Sequence, residues 1–138
     1  MNSGSGDKRV APKTLEDFIR EARARIQEIH PDELDEMIEN HDDLLIVDVR
    51  EPDEYGKGHI PGALLVPRGT LEGAADPGNG HRIEPLCSAR DRTIIVYCDT
   101  GARSALAADT LTQMGFNSYN LAGGLVLWEA DDFPVIRD

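Results

Sequence analysis

Two largely apolar runs, Leu44–Val49 and Thr93–Tyr97, constrain the fold of this chain more than any other feature. Both have the length of a β-strand, and neither alternates regularly between apolar and polar residues, which is typical of a strand covered on both faces. Between and after these runs, apolar residues recur at helical spacing. Strands that alternate with helices in this way form βαβ units. The sequence therefore predicts a mostly parallel sheet with helices on both faces.

The remaining elements are predicted from local signals. Thr14 is a suitable N-cap for a helix over Leu15–Arg25, with an acidic residue in its first turn as a capping-box partner. Pro31 suits the first turn of a second helix, and Gly115 is placed to end a helix over residues 102–114. The other predicted elements are strands at 26–29, 63–66 and 118–121, a helix at 51–55, and a final helix that contains Leu127 and Trp128.

Cys98 directly follows the second apolar run and begins a short polar loop that leads into a helix. A thiol there lies at the carboxyl end of a buried strand, where parallel sheets bind their ligands. It also faces backbone N–H groups at the start of a helix, and these groups, together with the helix dipole, favour negative charge. The position therefore predicts a reactive thiolate rather than a side chain used only for packing.

The charge of the chain limits its partners. It has 26 acidic and 14 basic residues, so its net charge of −12 repels nucleic acid and anionic membranes. An anionic substrate must therefore be held by local positive groups. No stretch approaches the ~18 apolar residues of a membrane span. With two cysteines and no secretory apolar segment at its start, the 138-residue chain is expected in the reducing cytoplasm, without a structural disulfide.

Two ordered groups of residues resemble the signatures of the rhodanese domain. The first group is Asp48-Val-Arg50-Glu51, then Glu54-Tyr55, then Gly58-His59-Ile60-Pro61-Gly62-Ala63. The second group is Val96-Tyr97-Cys98-Asp-Thr-Gly101-Ala-Arg103-Ser104, then Gly115-Phe116, Leu121-Ala-Gly123-Gly124 and Trp128. The two groups stand at matching separation and lie within 26–134, so the resemblance is far more specific than a single short motif.

The resemblance implies a three-layer α/β/α fold with a central, mostly parallel five-stranded sheet, and sulfur transfer through a cysteine persulfide. Residues 26–138 would form the rhodanese-like domain, residues 14–25 an N-terminal helical extension, and residues 1–13 a flexible tail. The implied donor is thiosulfate or another sulfane-sulfur compound. The implied acceptor is cyanide, a low-molecular-weight thiol such as glutathione, thioredoxin or another protein. The covalent persulfide carries the sulfur, so no organic cofactor is expected.

By position, the family's active-site loop runs from Cys98 to Arg103, and Ser104 starts the next helix. Cys98 would be the nucleophile, and the backbone amides of the loop would bind its sulfur, bare or sulfurated. The residues that would supply this binding site are Asp99, Thr100, Gly101, Ala102, Arg103 and Ser104.

Individual loop residues suit this role for different reasons. Gly101 lets the backbone curl without a Cβ clash, and the small Ala102 leaves space for a second sulfur. Arg103 can bind an oxyanion, such as the sulfonate end of thiosulfate, with paired donors. The side chain of Asp99 is expected to point outward, because a carboxylate beside the sulfur would oppose its negative charge.

The length of the loop separates two chemistries. Cysteine phosphatases have a related loop with one more residue between cysteine and arginine, whereas four residues separate Cys98 from Arg103 here. A shorter ring of amides fits a single sulfur better than a phosphate, so phosphatase activity is not expected. Two alternatives to a general sulfurtransferase stay open: a module that docks or senses a partner without turnover, and a persulfide relay dedicated to one protein acceptor.

Four polar residues of the first signature are interpreted as a supporting network: Asp48, Arg50, Glu54 and His59. A carboxylate followed by an arginine at a strand end more often ties loops together than reacts. His59 is not expected to act as a general base, because a thiolate nucleophile needs none. The second cysteine, Cys87, is read as an ordinary loop residue, with persulfide resolution or a disulfide as the alternatives. The histidines and cysteines lack metal-ligand spacing, so no metal is expected.

The segment from residue 69 to residue 90 is predicted to be a long loop with a turn at its centre. It immediately precedes the strand that carries the cysteine, so it could fold over the site as a rim. Arg68, Arg82 or Arg90 would then supply the positive charge that an anionic substrate needs.

Overall fold

The computed structural model describes residues 9–137, and its centre is a sheet of five parallel strands. The strand order β1-β5-β4-β2-β3 leaves the β-branched β4 between two neighbours, where its continuous apolar sequence can be buried on both faces. The predicted five-stranded, parallel α/β arrangement is confirmed. The strands are β1 Gln27–Ile29, β2 Leu44–Asp48, β3 Leu64–Leu65, β4 Thr93–Tyr97 and β5 Asn117–Leu121.

Helices precede, connect and follow these strands. They are α1 Leu15–Arg25, α2 Pro31–Glu39, α3 Pro52–Gly56, α4 Leu71–Ala75, α5 Glu84–Cys87, α6 Ala102–Gln113 and α7 Gly124–Ala130, with a 3₁₀-helix at Arg68–Thr70. Within residues 9–137, no helix is both long enough and apolar enough to cross a membrane.

The two faces of the sheet are covered by different helices. On one face, α4, α5 and α6 pack against β2 and β4 in a core that includes Leu86, Ala108 and Leu111. On the other face, α2 and α7 contribute Leu34 and Trp128 to a second core. These two cores account for the three predicted layers. Because each core reaches the carboxyl ends of the central strands, the loop after β4 is held from both sides.

The N-terminal helix α1 has the predicted bounds and lies against α6. Thr14 and Asp17 form a reciprocal capping box, because each side chain accepts the other residue's backbone N–H. Arg25 joins α1 to α6 through two hydrogen bonds with the carboxylate of Asp109, at 3.0 and 2.6 Å. These bonds and the charge of Arg25 lower the pKa of Asp109. Helix α1 therefore packs against α6, the helix that follows Cys98.

One local prediction is wrong. The segment 69–90 is not a long loop, because it contains α4 and α5, whose Leu71 and Leu86 are buried in the first core. The helix after the loop begins at Ala102, as the helix predicted over residues 102–114 does, so Ser104 lies in its first turn rather than at its start. The first eight residues of the predicted flexible tail, 1–13, lie outside the described residues; within 9–13 the chain has no helix or strand.

Candidate active site

Cys98 lies at the carboxyl end of β4, and 1% of its surface is exposed. Its Sγ accepts hydrogen bonds from the backbone N–H of Gly101 at 3.2 Å and of Ser104 at 3.4 Å. The hydroxyl of Ser104 donates a third, at 3.3 Å. Three donors directed at one sulfur stabilise a thiolate or a persulfide anion without a fixed counter-ion. The buried side chain therefore has the environment of a nucleophile.

The backbone turns toward the sulfur at Gly101. Its φ of +98° lies in the left-handed region, which glycine adopts without the steric cost that an L side chain has there. The next residue, Ala102, is the first of α6, so the free N–H of Ser104 in the first turn of this helix points at Cys98. The curl predicted at Gly101 is thus the step that joins the strand to the helix.

The N-terminus of α7 holds the other side of the loop. The N–H of Leu125 donates to the carbonyl of Cys98 at 2.9 Å, and the N–H of Val126 donates to the carbonyl of Asp99 at 3.0 Å. A Cβ at Gly124 would lie 2.5 Å from both carbonyl oxygens, so only glycine permits this approach. In the sequence, Gly124 is recognisable only as part of the second signature group. The Gly-Gly pair before a helix is the feature that indicates a close approach of the backbone there.

A buried ion pair ties the ends of β2 and β4 together. Arg50, 3% exposed, donates to Asp48 through Nε at 3.0 Å and Nη2 at 2.7 Å, and to the Gly58 carbonyl at 2.7 Å. Its Nη1 reaches Asp99 at 3.2 Å. Burial opposes the charge of Arg50, but the hydrogen bonds and charge of Asp48 outweigh burial and raise the pKa of Arg50. Burial, followed by the Asp48 charge, raises the pKa of Tyr97.

A second ion pair lies closer to solvent. The two terminal nitrogens of Arg103 donate to the two carboxylate oxygens of Glu54, each at 3.0 Å, and Nη2 is 3.5 Å from Asp99. The Arg103 hydrogen bond, followed by the backbone N–H of Glu51, lowers the pKa of Glu54 to about 2. The hydrogen bond with Glu54 raises the pKa of Arg103. The fork predicted to bind substrate thus holds a protein carboxylate.

Asp99 is only partly exposed, at 42% of its side chain, and its carboxylate contacts the guanidinium groups of Arg50 and Arg103. It therefore does not simply point outward as predicted. The two cations offset its charge beside the sulfur.

The remaining residues predicted for the loop and network occupy different environments. Thr100 is exposed, and Ala102 is partly exposed at the start of α6. The ring of His59 is buried and stacks on Tyr55 with 3.8 Å between ring centroids, and its Nδ1 is 3.0 Å from the carbonyl oxygen of Ile60. Glu54 and Asp48 thus contact the two arginines of the site, whereas the ring of His59 contacts Tyr55 and Ile60. The backbone of His59 pairs with that of Ile136.

Each of the predicted rim arginines has hydrogen-bond partners within the protein. Arg68 donates to Glu72 at 3.0 Å and to a threonine of α6, and Arg82 donates to Glu84 at 2.7 Å. Arg90 donates to three backbone carbonyls and lies over a phenylalanine ring. Cys87 is a free thiol whose Sγ donates to the Ala74 carbonyl at 3.3 Å. The rim role of these arginines stays a prediction.

Asn120 of β5 also supports the loop, and the sequence interpretation did not identify it. Its side-chain nitrogen donates to the Gly101 carbonyl at 3.1 Å and to the carboxylate of Glu28 at 2.7 Å. It is fully buried, and its Oδ1 has no hydrogen-bond partner within residues 9–137. Glu28 lies on β1, so the edge strand is connected to the centre of the loop through one side chain.

Comparison with known families matches residues 30–131 to the family described as rhodanese-like domain. The matched range contains Cys98, both signature groups and four of the five strands. It begins after α1 and β1.

Individual proteins show the same similarity. A sulfurtransferase from Allochromatium vinosum is 32% identical over 114 residues, which cover 80% of this chain and 95% of that protein. The thiosulfate sulfurtransferase PspE of Escherichia coli is 32% identical over 79 residues, covering 57% of this chain and 68% of that protein. A solved structure from Rhodopseudomonas palustris, described as a protein of unknown function and possible tyrosine phosphatase, is 28% identical with a TM-score of 0.85, and the match covers 95% of this chain and 100% of that one.

Proposed function

The chain belongs to the rhodanese-like domain family, and we propose that it moves a sulfane sulfur from thiosulfate or a persulfide donor to cyanide or a thiol acceptor. Relatives named as sulfurtransferases support the class of reaction. Cys98 is the proposed nucleophile, and the sulfur it carries is the only transferred group, so no organic cofactor is involved. Both cysteines are free thiols, which supports a reducing compartment such as the cytoplasm.

In the first half-reaction, the Cys98 thiolate attacks the outer sulfur of thiosulfate. A bond forms between the two sulfurs, and the outer sulfur's bond to the sulfonate sulfur breaks. Sulfite leaves with the electron pair of that bond, and the enzyme keeps a persulfide. Charge is conserved, because a thiolate and a dianion give a persulfide anion and a dianion. No oxidant is needed.

The hydrogen bonds at the sulfur of Cys98 are the observation that carries this proposal. Gly101 and Ser104 direct three donors at Sγ within 3.4 Å. Charge-assisted hydrogen bonds are roughly twice as strong as neutral ones, so these donors favour the anion throughout the cycle. The same donors support the persulfide, whose negative charge lies one sulfur farther out.

Arg103 plays a different part from the one its position alone predicts. Its fork holds Glu54, so we assign to it the electrostatic support of the loop and of Asp99. Direct contact with the sulfonate would require Glu54 to move. The same pairing disfavours phosphatase chemistry, because a phosphate would have to displace Glu54 and lie beside the carboxylate of Asp99. Aryl phosphate hydrolysis that disappears in Cys98→Ser would contradict this assignment.

Intact-mass measurement of the purified protein tests the proposed function. Incubation with thiosulfate should add one sulfur atom to the wild-type protein, and cyanide should then remove it. Cys98→Ala should gain no sulfur. Cys87→Ala is the matched control and should gain it like the wild type, because its thiol contacts a backbone carbonyl of α4. A folded wild-type protein that never gains sulfur from thiosulfate or a persulfide would favour a docking or sensing module. If cyanide removes the added sulfur but small thiols do not accept it, the result would favour a persulfide relay dedicated to one protein acceptor.

A further inference from the structure

The charged groups beside the sulfur provide no surplus positive charge for an anionic partner. Two guanidinium groups, from Arg50 and Arg103, contact three carboxylates, from Asp48, Glu54 and Asp99. The chain as a whole carries −12. An acceptor that carries carboxylates therefore needs a cation from another part of the molecule.

Arg23 of α1 supplies such a cation at the loop itself. A Cβ placed on Gly101 would lie 3.7 Å from Nη2 of Arg23, so this guanidinium borders the backbone that curls around Cys98. The side chain is 47% exposed, and it is 4.0 Å from the carboxylate of Glu28. Such a long, exposed pair contributes little stability and leaves most of the guanidinium's donors available.

A groove lies beside Arg23, between α1 and the first residue of α6. Its volume is about 490 Å³, and it is lined by Glu16, Ile19, Arg20, Arg23 and Ala102. This volume falls within the ~300–1,000 Å³ range typical of sites for organic ligands and is generous for thiosulfate. Of the two guanidinium groups in this lining, that of Arg20 also binds Asp17 at 2.6 Å, so Arg23 is the principal cation of the groove. Together with Glu16 and the apolar Ile19, it complements a peptide-like thiol that bears carboxylates and an ammonium group.

The same N-terminal segment is also connected to the loop from within. Glu28 accepts a hydrogen bond from Asn120, which in turn donates to the Gly101 carbonyl. Arg23 and Glu28 thus reach the same glycine, one beside its Cα and one through its carbonyl. Both residues precede residue 30, where the match to the family begins. The segment before the family domain therefore borders the loop that holds Cys98.

We propose that this groove binds a small carboxylate-bearing thiol as the sulfur acceptor, and that Arg23 binds its carboxylate. The proposal rests on the proposed function, because the acceptor must meet a persulfide. The acceptor's thiol first gives its proton to the persulfide anion. The resulting thiolate then attacks the outer sulfur, and a new sulfur–sulfur bond forms. The bond to Sγ breaks, its electron pair returns to Cys98 as thiolate, and the acceptor leaves as a persulfide. The sulfur is transferred without net oxidation.

Steady-state transfer from thiosulfate to two acceptors tests the proposal. Glutathione carries carboxylates, whereas 2-mercaptoethanol is a neutral thiol that cannot use Arg23. Arg23→Gln should raise the KM for glutathione about three- to tenfold and leave the KM for 2-mercaptoethanol within about twofold. Arg23→Lys keeps the charge without the fork and should fall between wild type and Arg23→Gln.

Arg92→Gln is the matched control. It makes the same change in net charge, but Arg92 precedes β4 at the end of the sheet opposite Cys98, roughly 20 Å away at about 3.3 Å per strand residue. Its KM values for both thiols should match those of the wild type. If Arg23→Gln changes the KM values for both thiols equally, or changes neither, the groove is not the binding site of the acceptor.

A binding measurement separates this proposal from the proposed function. S-methylglutathione cannot accept sulfur, so its calorimetric titration into Cys98→Ala reports the groove alone. Arg23→Gln in that background should weaken binding about three- to tenfold. No binding, or binding that ignores Arg23, refutes the groove even if Cys98 of the wild type gains sulfur normally. Conversely, Arg23-dependent binding to a protein that never gains sulfur would refute the proposed function and leave the groove in place.

Discussion

Among the glycines of residues 9–137, Gly124 is the one at which an added methyl group should displace the loop around Cys98 most. The new Cβ would lie 2.5 Å from the carbonyl oxygens of both Cys98 and Asp99, and backbone atoms cannot rotate away as a side chain can. Relief requires α7 and the loop to separate. That separation weakens the hydrogen bonds that Leu125 and Val126 donate to the same two carbonyls.

The expected cost of Gly124→Ala has two parts. An alanine at φ +59° costs roughly 1–2 kcal/mol relative to a right-handed conformation. Weakening two hydrogen bonds adds roughly 0.5–1.5 kcal/mol for each. The free energy of unfolding should therefore fall by about 2–5 kcal/mol, which at about 3–5 °C per kcal/mol lowers Tm by roughly 6–25 °C.

Gly62→Ala separates backbone strain from the clash. Gly62 also has a left-handed φ, of +81°, but a Cβ there would have no heavy atom within 4 Å. It should lose only the roughly 1–2 kcal/mol of conformational strain and should gain sulfur at the wild-type rate. Urea unfolding and thiosulfate loading followed by mass measure both effects. If Gly124→Ala unfolds at the same urea concentration as Gly62→Ala and gains sulfur equally fast, α7 does not hold the loop.

Three further changes test the contacts around the sulfur. Asp48→Asn replaces the buried carboxylate that binds Arg50 with a neutral amide. The free energy of unfolding, measured in urea, should fall by about 3–5 kcal/mol. A fall of less than about 1 kcal/mol would contradict a stabilising role for the buried ion pair. The hydrogen bond from Arg103 lowers the pKa of Glu54 from its usual 4.5 to about 2. The pair therefore stabilises the fold above about pH 4.5, and this stabilisation is lost as the pH falls toward 2 and Glu54 is protonated. Glu54→Gln should remove this pH-dependent part of the free energy of unfolding, about 1–2 kcal/mol for a partly exposed pair. If the variant unfolds in acid just as the wild type does, Glu54 is not stabilised by Arg103. Ser104→Ala removes one of three donors to the sulfur and should slow thiosulfate loading roughly threefold to tenfold, with an unchanged rate as the contrary result.

Local signals were sufficient for much of the fold. The bounds of α1 follow from Thr14 and Asp17, which need only three residues of sequence to form their capping box. The strand before Cys98 follows from its β-branched residues, and the curl after it follows from Gly101. These features depend on backbone geometry within one or two turns, which sequence pattern reports directly.

The missed features depend on contacts between distant segments. Leu71 and Leu86 are buried in the first core, and this burial stabilises helices in a segment whose Pro, Gly and Asn residues indicated a loop. Asn120 supports Gly101 across the sheet, and Gly124 is required only because α7 approaches the loop closely. Arg103 was predicted from its position alone, whereas its orientation is set by a carboxylate 49 residues earlier.

The donors around Cys98 explain how an acidic chain can hold an anion. The donors to the sulfur are backbone amides and a hydroxyl, which carry no net charge and need no cation nearby. Surface carboxylates beyond the Debye length, about 8 Å at physiological salt, are largely screened. The first half-reaction can therefore depend on the loop, within the residues matched to the family, while recognition of a charged acceptor depends on Arg23, outside them. A protein that shares the loop but lacks this helix should accept sulfur in the same way and pass it to different thiols.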